Sequence, residues 1–229
     1  MQSDCSFRIN THTPQLWNAV TGEVRENLNF MVTGKRLVIP IKFESFQSWF
    51  VVFLKNTTIG KPSTAKNFPD FKEVAEIAGP WKVAFDTKWG GPADVEFPSL
   101  TDWSKHLDER VKFYSGKAAY TKTFDFNNEV TSPLYLSLGT VKNIAEVTLN
   151  GKKLGIVWTA PWSVNVSSAI QKGRNTLEIE VINLWPNRLI KDAALPVEQR
   201  LTNTNIPFKK DAPLLPSGLL GPVVLKAAE

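Results

Sequence analysis

Trp89, Trp158, Trp162 and Trp185 each stand beside polar or turn-forming residues, a pattern suited to holding a sugar ring. An indole offers a flat apolar face and one N–H donor. That face matches the C–H side of a pyranose, while neighbouring amides, carboxylates or guanidinium groups bond its hydroxyls; the same face suits a sandwich core or a partner-domain surface equally. Trp158-Thr-Ala-Pro-Trp162 places two indoles around a turn fixed by Pro161, and Trp89-Gly-Gly-Pro92 places one on a loop where backbone can approach a ligand. Trp185-Pro-Asn-Arg188 lies within the most distinctive polar segment, a loop expected from Asn183 to Asp192. Two arrangements are open for it. Asn187, Arg188 and Asp192 line a sugar or partner surface, or Arg188 pairs with Asp192 and staples the loop to the body of the protein. Trp49 and Trp81 fall within strand-like runs and are assigned to the core.

Bond-breaking chemistry has less to work with. A glycosidase needs two carboxyl groups facing each other at about 5–10 Å. Asp86, Asp94, Glu96, Asp102, Asp108, Glu109 and Asp192 are present, but no spacing sets two of them face to face, so no catalytic residue is assigned. The chain has no phosphate-binding glycine loop, no Gly-x-Ser-x-Gly and no His-Glu-x-x-His. Two His and a single Cys, Cys5, exclude an internal disulfide and argue against a metal site or triad built on His. No cofactor is expected. A structural Ca²⁺ held by loop oxygens is left open, without an Asp-x-Asp-x-Asp pattern to support it.

The elements that must carry these residues read as strands. Leu37, Ile39, Ile41 and Phe43 alternate, with Pro40 pointing to an edge or bulge. Trp49 to Leu54 is a continuous apolar run, as in a strand buried on both faces. Trp81–Asp86, Ala118–Phe126 and Leu134–Leu138 follow. Ala145, Val147 and Leu149 lead into Asn150-Gly151, a type I′ turn signal, and Leu154, Ile156 and Trp158 alternate on the return. Gly173-Arg-Asn175 turns into Leu177, Ile179 and Val181, and Val223–Leu225 closes the series. Helical signals are brief: Phe71–Ala78 for two turns, and Thr101–Arg110 with a cap at Thr101 or Asp102. Many short strands without alternating helices define an all-β sandwich or jelly roll. Three parts are expected: a partial β-domain over 1–55, a linker with a short helix over 56–79, and a jelly-roll domain over 80–229. The front part carries about three strands.

A net charge of +5, with basic residues dispersed, lacks the clustered face that nucleic acid requires. No apolar run approaches membrane-spanning length, and the first residues have no leader pattern.

Several motifs carry a resemblance. Val147-Thr-Leu-Asn-Gly-Lys-Lys-Leu-Gly155, followed by Trp158, Pro161 and Gly173-x-Asn175-x-Leu-x-Ile-x-Val181-x-Asn183, resembles the galactose-binding-like jelly roll of family 2 glycoside hydrolases. Gly79-Pro-Trp-x-Val-x-Phe85, Tyr114-Ser-Gly-x-Ala-x-Tyr120, Asn183-x-Trp-x-Asn-Arg-Leu-Ile190-x-Asp192 and Leu215-Pro-Ser-Gly-Leu-Leu-Gly-Pro222 resemble the C-terminal region of family 106 α-L-rhamnosidases. The front segments Pro14-x-Leu-Trp-x-x-Val-Thr-Gly22 and Ser48-Trp-Phe-Val-Val-Phe53 fit the β-domain preceding it. Lys191 stands where that pattern usually has Gly. The resemblance implies an accessory β-region, not itself catalytic, supporting a catalytic barrel encoded upstream in the same polypeptide. It also implies contact with oligo- or polysaccharide and a periplasmic or extracellular location. A free-standing carbohydrate-binding module and a protein-docking domain are the alternatives.

Overall fold

The computed structural model describes every residue except Asn56 and Val130. Backbone contacts divide the chain into Met1–Asp70 and Phe71–Glu229.

In the front unit the strands are β1 (Gln2–Phe7), β2 (Pro14–Asn18), β3 (Val24–Arg25), β4 (Met31–Thr33), β5 (Arg36–Lys42) and β6 (Trp49–Phe53). They form two three-stranded sheets, β1-β5-β4 and β3-β2-β6. Leu37, Ile39 and Ile41 share the inward face as their alternation requires, and close a core with Leu16, Leu28 and Phe30. The unit thus holds more strands than the three expected, because β3 and β4 are too short to leave a periodic signal. Pro40 lies in the central strand of its sheet, not on an edge. It is tolerated because β4 pairs only with Arg36–Val38 and leaves that side open at Pro40. There the Asn67 amide donates to the Pro40 carbonyl at 3.1 Å. The apolar run at Trp49 is also not buried on both faces: β6 is an edge strand, and Phe50 is exposed.

The stretch expected to be a linker divides. Its first residue, Asn56, lies outside the described residues. Up to Asp70 the rest belongs to the front unit, where Ile59 and Phe68 pack on the core and Ser63 N–H donates to Leu28 O at 2.9 Å. The short helix expected over Phe71–Ala78 is a strand, β7 (Phe71–Glu76). Two isolated helical turns are unstable in water. A ladder to the last strand and an edge contact between Phe71 and Tyr135 at 5.2 Å favour the extended form.

The rear unit continues with β8 (Trp81–Phe85), β9 (Val95–Phe97), α1 (Glu109–Lys112), β10 (Lys117–Phe126), β11 (Leu134–Ser137), β12 (Thr140–Lys142), β13 (Ile144–Leu149), β14 (Lys152–Val157) and β15 (Ser163–Asn165). Then come β16 (Gly173–Ile182), α2 (Pro186–Ala193), β17 (Gly218–Gly221) and β18 (Val224–Ala228). A six-stranded sheet, β14-β13-β16-β10-β8-β9, and a four-stranded sheet, β15-β11-β18-β7, enclose one core; β12 and β17 form a separate pair. These ladders are antiparallel. Val83, Tyr120, Val147 and Ile179 enter the core from the first sheet, Leu136 and Leu225 from the second. At its centre the Trp103 indole stacks on Tyr120, centroids 6.4 Å apart and planes 11° apart. Trp103 Nε1–H donates to Tyr120 Oη at 2.5 Å, and Leu219 N–H donates to the same oxygen at 3.3 Å. Gly218 runs past this indole with φ +98°, and a Cβ there would lie 2.4 Å from Nε1, so only glycine fits.

The Asn150-Gly151 turn has the two positive φ values of type I′, 52° and 77°. The Asn150 amide also ties three segments together. Its Nδ2 donates to Ala169 O at 2.9 Å and Asn175 Oδ1 at 2.8 Å, and its Oδ1 accepts from Thr176 N–H at 2.8 Å. Asn150→Ala should destabilise the rear unit by about 1–3 kcal/mol, the usual effect of stranding such partners, as read from urea unfolding. On the return strand the expected alternation slips. A bulge near Gly155 shifts the register, so Val157 is buried, while Ile156 and Trp158 face solvent at 62% and 57% exposure.

Candidate functional site

One end of the six-stranded sheet gathers most of the candidate residues. The register sets Ile144 beside Ile182 and Ile182 beside Lys117, while Ala118 pairs with Phe85 and Ala145 with Val157. The loops after β8, β14 and β16 therefore leave at this same end, carrying Trp89, Trp158 and Trp185.

Trp89 and Trp185 meet edge to face, centroids 5.1 Å apart. Trp89 sits on the short 3₁₀ turn Thr87–Trp89, capped by the Asp86 side chain, and Lys88 Nζ lies 5.8 Å from its ring centroid. Trp185 remains 43% exposed. Trp158 leaves from β14, four strands across from β8, about 20 Å away at ordinary strand spacing. Trp162 is elsewhere in its role. It packs against the core, and its Nε1 is buried without a hydrogen-bond partner among the described residues.

The segment from Asn183 to Asp192, expected as a loop, contains the helix α2, begun by Pro186 in its first turn. Ser115 receives the helix start: its Oγ accepts from Arg188 N–H at 3.2 Å and donates to Leu184 O at 2.9 Å. Asn187, Arg188 and Asp192 lie on the buried face. Asn187 Nδ2 donates to Leu215 O and its Oδ1 accepts from Leu215 N–H, each at 2.8 Å. Arg188 Nε donates to Asp192 Oδ1 at 3.0 Å, and a terminal nitrogen donates to the same oxygen. Asp192 Oδ2 accepts from Thr202 N–H at 2.9 Å and Thr202 Oγ1–H at 2.5 Å. Burial acts to raise the Asp192 pKa, but the bonds from Arg188 and Thr202 and the Arg188 charge outweigh it and hold the carboxyl below its ordinary value. Of the two arrangements open for this segment, these residues adopt the staple. Lys191 faces outward, bonding Glu109 Oε2 at 3.0 Å over the Phe113 ring.

By pinning Thr202, Asp192 draws the strap 197–208 alongside α2 and leaves a cleft of about 630 Å³ between them. Leu189, Leu201 and Phe208 give it apolar surface; Arg200, Asn203 and Asn205 give it polar groups. The Gly90 position, next to Trp89, lies against Leu201 and Arg188, so the aromatic pair adjoins the cleft. The sequence reasoning missed this strap. Its one signal was length: the stretch between α2 and β17 is polar and aperiodic, and long loops of that kind tend to be functional.

Three of the carboxylates named from the sequence are engaged at helix starts. Asp86, Asp102 and Asp108 cap the starts of short helices, and Asp102 also accepts from Ser217 N–H at 2.9 Å. Among the described residues, no cluster of three or more His, Cys, Asp or Glu is placed to hold a metal ion.

A two-sheet jelly roll with its polar features gathered at one end defines the class of domain. Residues 103–212 match the family described as glycosyl hydrolase 2 galactose-binding domain-like. The chain carries a glycoside hydrolase-associated galactose-binding-like domain. It is 35% identical to a rhamnosidase of solved structure from Novosphingobium sp. PP1Y, with a TM-score of 0.88 over 97% of this chain and 21% of that one. It is also 37% identical, over 70% of its length, to a protein named as a beta-glucuronidase from Formosa agariphila, of which it spans 16%. The resemblance read from the motifs holds at the level of this domain and fold.

Proposed function

We propose that this chain is the non-catalytic accessory β-region of a glycoside hydrolase of the α-L-rhamnosidase type, acting beside a catalytic domain of the same polypeptide and touching saccharide through its aromatic end. The observation that carries this is the extent of the likeness: nearly all of this chain corresponds to about a fifth of a rhamnosidase. The engagement of Asp86, Asp102, Asp108 and Asp192 in caps and staples supports a role other than bond cleavage. The Trp89–Trp185 pair beside a polar cleft supports contact with sugar. A periplasmic or extracellular location goes with this reading. No helix is long and apolar enough to cross a membrane.

The 229-residue chain should release no chromophore from aryl-rhamnoside or aryl-glucuronide. In calorimetric titration it should bind neutral or acidic oligosaccharide weakly, and Trp185→Ala should reduce that affinity at least fivefold with an unchanged melting curve. Turnover dependent on one of its own carboxylates, or no heat with any saccharide, counts against the reading.

One observation favours docking as a second role. Ile144, Ile156, Trp158, Ile182 and Leu184 are exposed around one end of the sheet's outer face. Contiguous apolar surface of this kind marks an interaction site, and the catalytic domain is its proposed partner. Trp158→Ala should then leave sugar affinity intact.

A further inference from the structure

We propose that the cleft between α2 and the strap 197–208 selects an acidic saccharide, one bearing a carboxylate or a sulfate ester, through the guanidinium of Arg200. The inference rests on the reading that this end of the domain meets sugar, and it names the class of sugar.

The charges lining the cleft do not cancel. Arg200 and Asp192 are the two ionisable residues among those lining the cleft. Asp192 is fully engaged by Arg188, Thr202 and the Leu201 backbone. Its charge is answered by Arg188 within the protein. Arg200 is different. It closes the 3₁₀ turn Val197–Gln199, and its Nε donates to Leu195 O at 3.0 Å, which fixes the plane of the guanidinium. Its two terminal nitrogens have no hydrogen-bond partner among the described residues. The uncommitted charge of the cleft is therefore positive, and it is carried by a planar set of four N–H donors. That geometry suits two oxygens of one anion, gripped side by side. Outside the lining, exposed Lys209 and Lys210 follow Phe208, and exposed Glu198 and Asp211 offset them, so the selecting charge is that of Arg200 itself.

The rest of the lining fits the remainder of a sugar. The side chains of Asn203 and Asn205 offer both donors and acceptors for hydroxyls, and Leu201 and Phe208 supply apolar surface for ring carbons. The cleft volume of about 630 Å³ falls in the range of small-ligand sites. A neutral sugar uses the amides alone, whereas an acidic one adds the charge-assisted pair.

The test compares matched ligands on the intact 229-residue chain: galactobiose, digalacturonate and galactose 6-sulfate, titrated by calorimetry and by amide chemical shifts at physiological salt. At least one acidic ligand should bind ten times more tightly than galactobiose, with shifts centred on residues 197–208; which one does so separates carboxylate from sulfate. Arg200→Gln should abolish the preference, bringing the affinity of the acidic ligand down to that of galactobiose on the same variant. Arg200→Lys, which keeps the charge but loses the fork, should retain part of it, and matching melting curves for both variants confirm that the fold is intact. Equal affinity for neutral and acidic ligands, or a preference that survives Arg200→Gln, overturns the assignment while leaving saccharide contact standing. Absence of binding by every ligand overturns this inference, and the saccharide-contact reading falls with it when rhamnose oligosaccharide gives no heat either.

Discussion

Trp103→Ala is expected to destabilise the rear sandwich by about 3–5 kcal/mol, the range for truncating a large aromatic side chain in a packed core. The indole is completely buried and touches Phe85, Tyr114 and Tyr120, with centroids between 5.1 and 6.4 Å. Its loss opens a cavity where Gly218 had been pressed against the ring. It also removes the shorter of the two bonds made to the Tyr120 hydroxyl among the described residues, leaving the longer one from Leu219. Urea unfolding followed by far-ultraviolet circular dichroism measures the loss. Trp103→Phe should recover much of the packing but not the hydrogen bond, so the two variants separate volume from polarity. A loss below 1 kcal/mol for the alanine variant would mean that the centre of this core collapses to fill the space.

Arg188→Ala is expected to have a comparable effect, about 3–5 kcal/mol, for an electrostatic reason. Asp192 would stay buried without its cation, and Thr202 and the Leu201 amide would be its remaining partners. The double variant Arg188→Met, Asp192→Leu removes both charges and should be more stable than either single variant, since an apolar pair of similar volume satisfies a buried site as well. It should also free the strap from α2, seen as faster amide exchange at residues 201–203. Acid unfolding gives a second reading of the same pair. The folded-state pKa of Asp192 is depressed, so its contribution is present above about pH 4 and is lost as pH falls through the lowered value. Arg188→Ala should flatten that part of the stability curve.

Much of the architecture was legible because strands of period two with one buried face announce themselves. Leu37, Ile39 and Ile41 do so in front, and Leu177, Ile179 and Val181 behind. The Asn150-Gly151 turn was legible because few residue pairs tolerate two positive φ values. The return strand misled at Ile156 and Trp158 because a bulge inserts one residue, and a shift of one exchanges the faces. Helix α2 was hidden because its buried side is mostly polar: Asn187, Arg188 and Asp192 face inward beside Ile190, which masks the usual apolar stripe. The aromatic half of the candidate site was readable from residue type. The cleft was not, since Arg200, Asn203 and Asn205 acquire meaning only when the distant Asp192 draws their strap into place.

The placement of β18 has a consequence for how the protein is made. This strand lies between β11 and β7, and among the described residues β7 pairs with no other strand. The opening strand of the sandwich must therefore wait for residues roughly 150 positions later to emerge from the ribosome. Until then its edge is bare, so nascent chains halted before Val224 should be the ones that aggregate or recruit chaperones.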